Sequence, residues 1–303
     1  MRSKSWGSLI FGRQDLHYFN TESTLTTKAA SLRHDSVSLL AYIQGTAIAT
    51  ASRTQNVTRW LSPNWGGFTM IVAYSTNGAG ADNDLATGAR KGRAWNLNPN
   101  FQAANFQVGY SYWNQKADAV TTAAAATVAG CGVGVLTVPA GALTAASNTC
   151  TAATTVTGTA AATTAVNQRG DRLYGSFKWA GFQVGLAWDK SKLSNIGGTE
   201  TNRRTAWSIP AGWTGGNHNV YLHYTKALDD KVTAAQDGAK MFAIAYVYDL
   251  SKRTSMGISF SKITNDSGAT YNHFTTTSLG DASAAVAAGE DPRILAATIR
   301  HAF

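Results

Sequence analysis

Between Met241 and Thr264 the chain reads MFAIAYVYDLSKRTSMGISFSKIT. Phe242, Ile244, Tyr246 and Tyr248 recur at every second position, with Ala243, Ala245 and Val247 between them. After Leu250-Ser251-Lys252-Arg253 the alternation resumes, Met256, Ile258 and Phe260 against Ser255, Gly257, Ser259 and Ser261. A period of two predicts two strands joined by a tight turn. In a soluble sandwich the bulky residues would pack inward and charged residues would face water. Here the second face is small and nearly uncharged. That is the pattern of a barrel whose outside meets lipid and whose inside meets water.

The pattern repeats along the chain. A first strand is predicted over Gly7 to Gln14. Arg53, Gln55, Val57 and Arg59 are expected to share one face, with Asn56, Thr58 and Trp60 on the other. Phe68, Met70, Val72 and Tyr74 follow, then Trp95, Leu97 and Phe101 opposite Asn96, Asn98 and Asn100, then Phe106, Val108, Tyr110 and Tyr112. Leu173, Phe177 and Trp179 pair with Phe182, Val184, Leu186 and Trp188 across Ala180-Gly181. Arg204 to Pro210 pairs with Asn219 to Lys226, and Arg293 to Phe303 closes the chain. About twelve strands result, joined alternately by short turns and long loops, the layout of a bacterial outer-membrane barrel. Aromatics recur near the strand ends, where interfacial girdles belong. Two connections are too long to be mere linkers. Residues 15–52 carry a predicted short helix over 36–43 with Asp35 as its N-cap. Residues 117–171 form a low-complexity, Ala/Thr-rich loop.

Composition sharpens this picture. Only 14% of the 303 residues are charged, against about 25% in a typical soluble domain. No run of about 18 apolar residues exists, so no membrane-spanning helix is expected. The net charge is +9, but the basic residues are scattered singly rather than clustered with stacking aromatics. That excludes nucleic acid and favours a lumen that attracts anions. Cys131 and Cys150 lie in the second long loop with no His, Asp or Glu nearby in sequence. A disulfide closing an extracellular loop, worth about 3 kcal/mol, is preferred to a metal or redox pair. His218 and His223 fall on opposite strand faces and make poor co-ligands for a metal. No nucleophile elbow or phosphate-binding glycine loop is present, so neither an enzyme nor a cofactor is expected.

Four stretches carry a family resemblance: Gly12-Arg13-Gln14-Asp15, Asn56-Val57-Thr58-Arg59-Trp60-Leu61-Ser62-Pro63-Asn64-Trp65-Gly66-Gly67-Phe68, Tyr248-Asp249-Leu250-Ser251-Lys252-Arg253-Thr254-Ser255, and Ile299-Arg300-His301-Ala302-Phe303. Together they resemble the trimeric general porins of Gram-negative bacteria, in particular those of beta-proteobacteria and Neisseria. The resemblance implies an all-β fold: one transmembrane antiparallel β-barrel domain over residues 1–303, of the 16-stranded type, with about 12 strands present. The first four strands and a signal peptide have no counterpart, so the chain is expected to be a fragment rather than a gene with a miscalled start or a twelve-stranded variant.

The resemblance further implies that 15–52 folds into the lumen as a constriction, that 117–171 is extracellular, and that Phe303 is read by the outer-membrane insertion machinery. Arg59 matches the family's inward arginine. By face parity Arg53, Lys178 and Arg300 join it as the basic wall, with Arg172 and Arg204 as further candidates. Asp35, then Glu22, are the expected acids on the loop side. The function expected is an outer-membrane pore for passive diffusion of small hydrophilic solutes and ions, mildly anion-selective. A solute-specific anion channel on the same fold and a non-transporting β-rich adhesin are the alternatives. The expected partners are those solutes, outer-membrane lipid and lipopolysaccharide, the insertion machinery, and two further copies in a homotrimer.

Overall fold

The structure, a computed structural model, describes residues 1–22, 42–43, 46–47, 53–76, 93–116, 126–129, 135–138, 166–233, 236–273 and 286–303. Its strands are β1 (Arg2–Ser3), β2 (Gly7–Asp15), β3 (Tyr42–Ile43), β4 (Thr46–Ala47), β5 (Arg53–Leu61), β6 (Phe68–Ser75), β7 (Arg93–Gln102), β8 (Phe106–Lys116), β9 (Ala126–Ala129), β10 (Val135–Val138), β11 (Val166–Trp179), β12 (Phe182–Asn195), β13 (Glu200–Gly215), β14 (His218–Ala227), β15 (Ala239–Asp249), β16 (Thr254–Asn265) and β17 (Arg293–His301). One short helix, α1 (His17–Glu22), follows β2. A 13-stranded sheet runs β1-β2-β5-β6-β7-β8-β11-β12-β13-β14-β15-β16-β17, its strands pairing in chain order, while β3–β4 and β9–β10 form two separate hairpins. The sheet is open, with β1 and β17 at its ends.

The opening hairpin forms as expected. β15 and β16 pair antiparallel from Ala239↔Asn265 to Asp249↔Ser255. Phe242, Ile244, Tyr246, Met256, Ile258 and Phe260 stand exposed on one face, while Ala243, Ala245, Ser259 and Ser261 are buried on the other. The exposed apolar face continues through Leu222, Ile209 and Trp213, Leu186 and Val184, Phe177 and Leu173, Val108 and Phe106, and Leu97 and Trp95. A soluble sheet does not leave so broad an apolar surface in water; lipid is the solvent that suits it. The opposite, concave face is lined by Asn96, Asn98, Ser111, Ser176, Ser208 and Asn219, all buried and polar. Small residues there leave room for long ones. Tyr174 lies over Gly109, where an added Cβ would run into the ring, and its hydroxyl donates to Asn98 Oδ1 at 3.2 Å.

Residues 62–67, 103–105, 180–181, 216–217 and 250–253 make short turns at one end. The other end carries long connections, 16–52, 76–92, 117–165, 228–238 and 266–292, with one short exception at 196–199.

Three expectations need correction. β11 begins at Val166, so 166–171 belong to the wall and not to the loop. Tyr42 and Ile43 pair with Ala47 and Thr46 instead of ending the expected helix, whose residues 36–41 lie outside the described ones; the helix described in this segment is α1, next to β2. The even alternation from Arg53 to Arg59 is broken at Asn56, whose φ is 53°. Thr54 and Val57 are both buried, and the register with β2 slips between Gly12 and Gln14. This β-bulge inserts an extra residue and flips the face, so Arg53 does not share a face with Arg59.

Candidate functional site

Helix α1 lies across the concave side of the sheet. It follows β2, yet its side chains reach β5, β8 and β12. Asn20 Oδ1 accepts a hydrogen bond from Arg59 Nη2 on β5 at 3.4 Å. His17 Nδ1 meets Ser111 Oγ on β8 at 2.8 Å, and Ser111 is also held by Asn96 Nδ2 at 3.0 Å. The Tyr18 hydroxyl meets Ser191 Oγ on β12 at 2.8 Å. His17, Tyr18 and Thr21 are fully buried. The Thr21 hydroxyl donates back to the His17 carbonyl at 2.6 Å, closing the turn.

Beneath the helix sits a charged cluster. Arg172 and Asp189 are directly opposite on β11 and β12, and Arg204 lies opposite Ser191 on β13. Asp189 Oδ1 accepts from Ser191 Oγ at 2.6 Å and from the Tyr18 hydroxyl at 3.4 Å. It lies 3.6 Å from Arg204 Nη2. Its other oxygen is 3.9 Å from His17 Nε2. The Arg172 guanidinium stands 5.9 Å from the Tyr18 ring centroid, a cation–π contact, and Arg204 Nη1 donates to the Tyr271 hydroxyl at 3.5 Å. Arg172, Asp189 and Arg204 are all essentially inaccessible. Buried charges persist only when paired and hydrogen-bonded, and here one carboxylate serves two guanidiniums. Burial and the nearby Arg172 charge hold the His17 imidazole well below its ordinary pKa, so His17 is neutral at physiological pH.

Two backbone features show how tightly the helix is seated. His17 is held at φ 34°, a left-handed conformation unusual for a side-chain-bearing residue. A Cβ on Gly170 would lie 2.7 Å from His17 Nε2, so only glycine lets the imidazole lie against β11.

The family model for Gram-negative porins matches the chain over residues 2–167 and 140–268. The chain belongs to that family. Among solved structures, the anion-selective porin from Comamonas acidovorans is 18% identical, aligned over 99% of this chain and 76% of its own, with a TM-score of 0.66. OmpT of Vibrio cholerae, an outer-membrane protein, is 11% identical over 97% and 75%, with a TM-score of 0.59. At such identities the likeness is one of fold. No curated protein sequence matches the chain. The protein is an outer-membrane porin channel, and its apolar convex face and polar concave face are the lipid and water sides of that wall.

The porin's expected site residues are placed as follows. Arg59 lies on the concave face, half-buried beside α1. Arg53 stands at the loop end of β5 in a solvent-exposed pair with Asp15, Nε–Oδ1 3.8 Å. Lys178 is next to the β11–β12 turn, lining a recess with Asn105, Gln183, Thr214 and Tyr221. Arg300 lines another at the same end with Asp249, Ser255 and Thr298. Glu22 closes α1. Asp35, Cys131 and Cys150 lie outside the described residues. Phe303 is fully exposed beyond β17 and meets the His301 ring edge-on at 4.9 Å. Arg172 and Arg204, expected as further wall residues, are both buried, Arg172 against Tyr18 of the helix and Arg204 against Tyr271 and Asp189. It missed His17, Tyr18 and Asp189. Asp189 was legible, because it follows Trp188 on the small-residue face, where a lone acid needs a cation; His17 and Tyr18 gave no periodic signal.

Proposed function

We propose that this porin passes small hydrophilic solutes by passive diffusion with a modest preference for anions, and that segment 15–52 narrows its lumen. The observation that carries this reading is α1 held across the concave face, with Arg59 beside it. Arg172 and Arg204 outnumber Asp189 in the wall beneath, and Lys178 and Arg300 add positive charge toward the short-turn mouth. The porin of Comamonas acidovorans, named as anion-selective, is a precedent for such a preference on this fold. In this chain the argument rests on its own cations. Each acts through a field screened within about 10 Å at 0.1 M salt, so selectivity should weaken as salt rises. Outer-membrane lipid and lipopolysaccharide cover the convex face, and a homotrimer assembled by the insertion machinery, with Phe303 as its signal, completes the reading.

The test is the zero-current potential across a planar bilayer in a salt gradient. Arg59→Ser should move it toward cations with little loss of conductance. An unmoved potential would remove Arg59 from the constriction. Conductance that saturates with one solute would instead favour a dedicated anion channel.

A further inference from the structure

At the long-loop end of the convex face, cations meet across the strands. Lys226 on β14 is directly opposite Lys240 on β15, and Lys262 on β16 is directly opposite Arg293 on β17. Lys240 is opposite Thr264, two residues from Lys262, so the two pairs adjoin diagonally. All four side chains are exposed and share the outward face of Phe242 and Phe260. Like charges placed directly opposite in a sheet are unfavourable.

One acid answers them: Asp291 Oδ2 lies 3.1 Å from Lys262 Nζ. Four other described acids of this end are engaged elsewhere. Asp229 accepts the Gly238 amide, Glu290 the Ala287 amide, and buried Asp230 and Asp237 accept the Arg203 and Asp230 amides.

A second group of outward cations on the same face is built differently. Lys192 and Arg203 are also directly opposite, but Glu200 bridges them at 2.9 Å and 3.0 Å. Arg169 beside them has Asp171 at 3.0 Å. That group has two acids among its cations; among the described residues the four cations of the β14–β17 group have Asp291 alone. Trp207 on β13 is directly opposite Lys226, its ring 5.3 Å from that of Tyr224; Tyr224, Phe242 and Phe260 stand two residues toward the membrane from Lys226, Lys240 and Lys262.

We infer that Lys226, Lys240, Lys262 and Arg293 form a binding site for the phosphate groups of an acylated outer-leaflet lipid, whose apolar part lies on Trp207, Phe242 and Phe260. Charge complementarity selects the occupant. The patch is net cationic, stands at the upper edge of the lipid-facing band, and grades into an apolar surface, so a ligand must carry phosphate above hydrocarbon. A soluble anion would gain nothing from the aromatic floor. The inference rests on the porin reading for the side of the membrane on which the patch lies.

The full chain, folded in a non-ionic detergent, is offered bis-phosphorylated lipid A or the same acylated disaccharide stripped of phosphate, and retained lipid is measured by native mass spectrometry. The bis-phosphorylated form should be retained in preference. Lys226→Gln/Lys240→Gln should weaken that retention by about 30-fold, as expected for two basic residues at an anionic surface. Lys190, directly opposite Asp171, belongs to the second group, and Lys190→Gln/Lys192→Gln, which removes equal charge from cations that already have acids beside them, should change it by less than about threefold. Millimolar inorganic phosphate should not displace the lipid. Equal retention of the stripped lipid, equal effects of the two double variants, or full displacement by phosphate would each overturn the site. So would loss of oligomers without loss of lipid in the first variant, which would assign the patch to a second copy. Conductance of the same sample tests the pore separately: a conducting protein that ignores lipid phosphate refutes the lipid site alone.

Discussion

Two cationic clusters of this porin face opposite ways and obey opposite rules. Under α1, Arg172 and Arg204 are shut away from water around Asp189, Tyr18 and His17. On the convex face, Lys226 and Lys240 oppose one another in the open, and the described acid of that patch, Asp291, is bonded to Lys262 instead. The buried cluster persists because every charge has a partner, and removal of one partner strands the rest. The exposed cluster tolerates repulsion because water screens it, which leaves it free to recruit an anion from outside. Position, not residue type, decides which cation holds the fold and which meets a ligand.

The strongest way to break the comparison is to unpair the buried side. Asp189→Ala leaves Arg172 and Arg204 in a site built around a carboxylate, at a cost of about 3–5 kcal/mol. The thermal midpoint of the folded barrel, followed by heat-modifiable mobility, should fall sharply. A midpoint within a degree or two of the parent would mean that the cluster contributes nothing to holding the wall and helix together.

A smaller perturbation separates helix from wall. Gly170→Ala places a methyl 2.7 Å from His17 Nε2. Overpacking of this kind costs about 1–3 kcal/mol, and here the helix has more freedom to move than the paired strand β11. Conductance should therefore become noisier or change in size while the strands stay protected from exchange. Loss of β11 protection instead would show that the wall gives way first.

Protonation tests the same contact more gently. The folded pKa of His17 lies below its ordinary value of 6.5, through burial first and the charge of Arg172 second. A group with a lowered folded pKa takes up its proton more readily when the contact is broken. The seat of α1 is therefore fully stable above about pH 6.5 and loses stability as pH falls toward the folded value. Asp189, Arg172, Ser111 and Tyr18 are the polar residues described around the ring. Single-channel recordings from pH 7.5 to 5 should show acid-dependent fluctuations that His17→Gln removes. A variant that fluctuates like the parent would assign the acid effect to another group.

The wall was largely legible in the sequence because lipid and water impose a strict period of two on either side of a strand. Phe242, Ile244 and Tyr246 therefore found their face with no knowledge of their neighbours. What failed did so where the period is interrupted. The bulge at Asn56 separates Arg53 from Arg59 by inserting one residue, a change invisible in composition. The loop seat failed for a different reason. His17 and Tyr18 meet Ser111 and Ser191 across 94 and 173 residues of chain, and contacts so distant leave no local pattern. The like-charge pairs were equally hidden, because Lys226 and Lys240 become neighbours only through the register of β14 on β15.

The smallest expected effect compares the two outward groups in lipid-free detergent. Lys192 donates to Glu200 at 2.9 Å, a partly exposed ion pair of the kind worth about 0–1 kcal/mol. Lys192→Gln should therefore lower the thermal midpoint slightly or leave it alone. Lys240→Gln removes one member of a like-charge cross-strand pair, and relief of that repulsion, a few tenths of a kcal/mol up to about 1 kcal/mol, should raise the midpoint. The signs matter more than the sizes. Added salt should shrink both effects, since each is carried by exposed charge, and added bis-phosphorylated lipid should reverse the second, because Lys240 then has an anion to lose. If Lys240→Gln lowers the midpoint without lipid, Lys240 already has a stabilising partner within the chain, and the contrast between the two groups disappears.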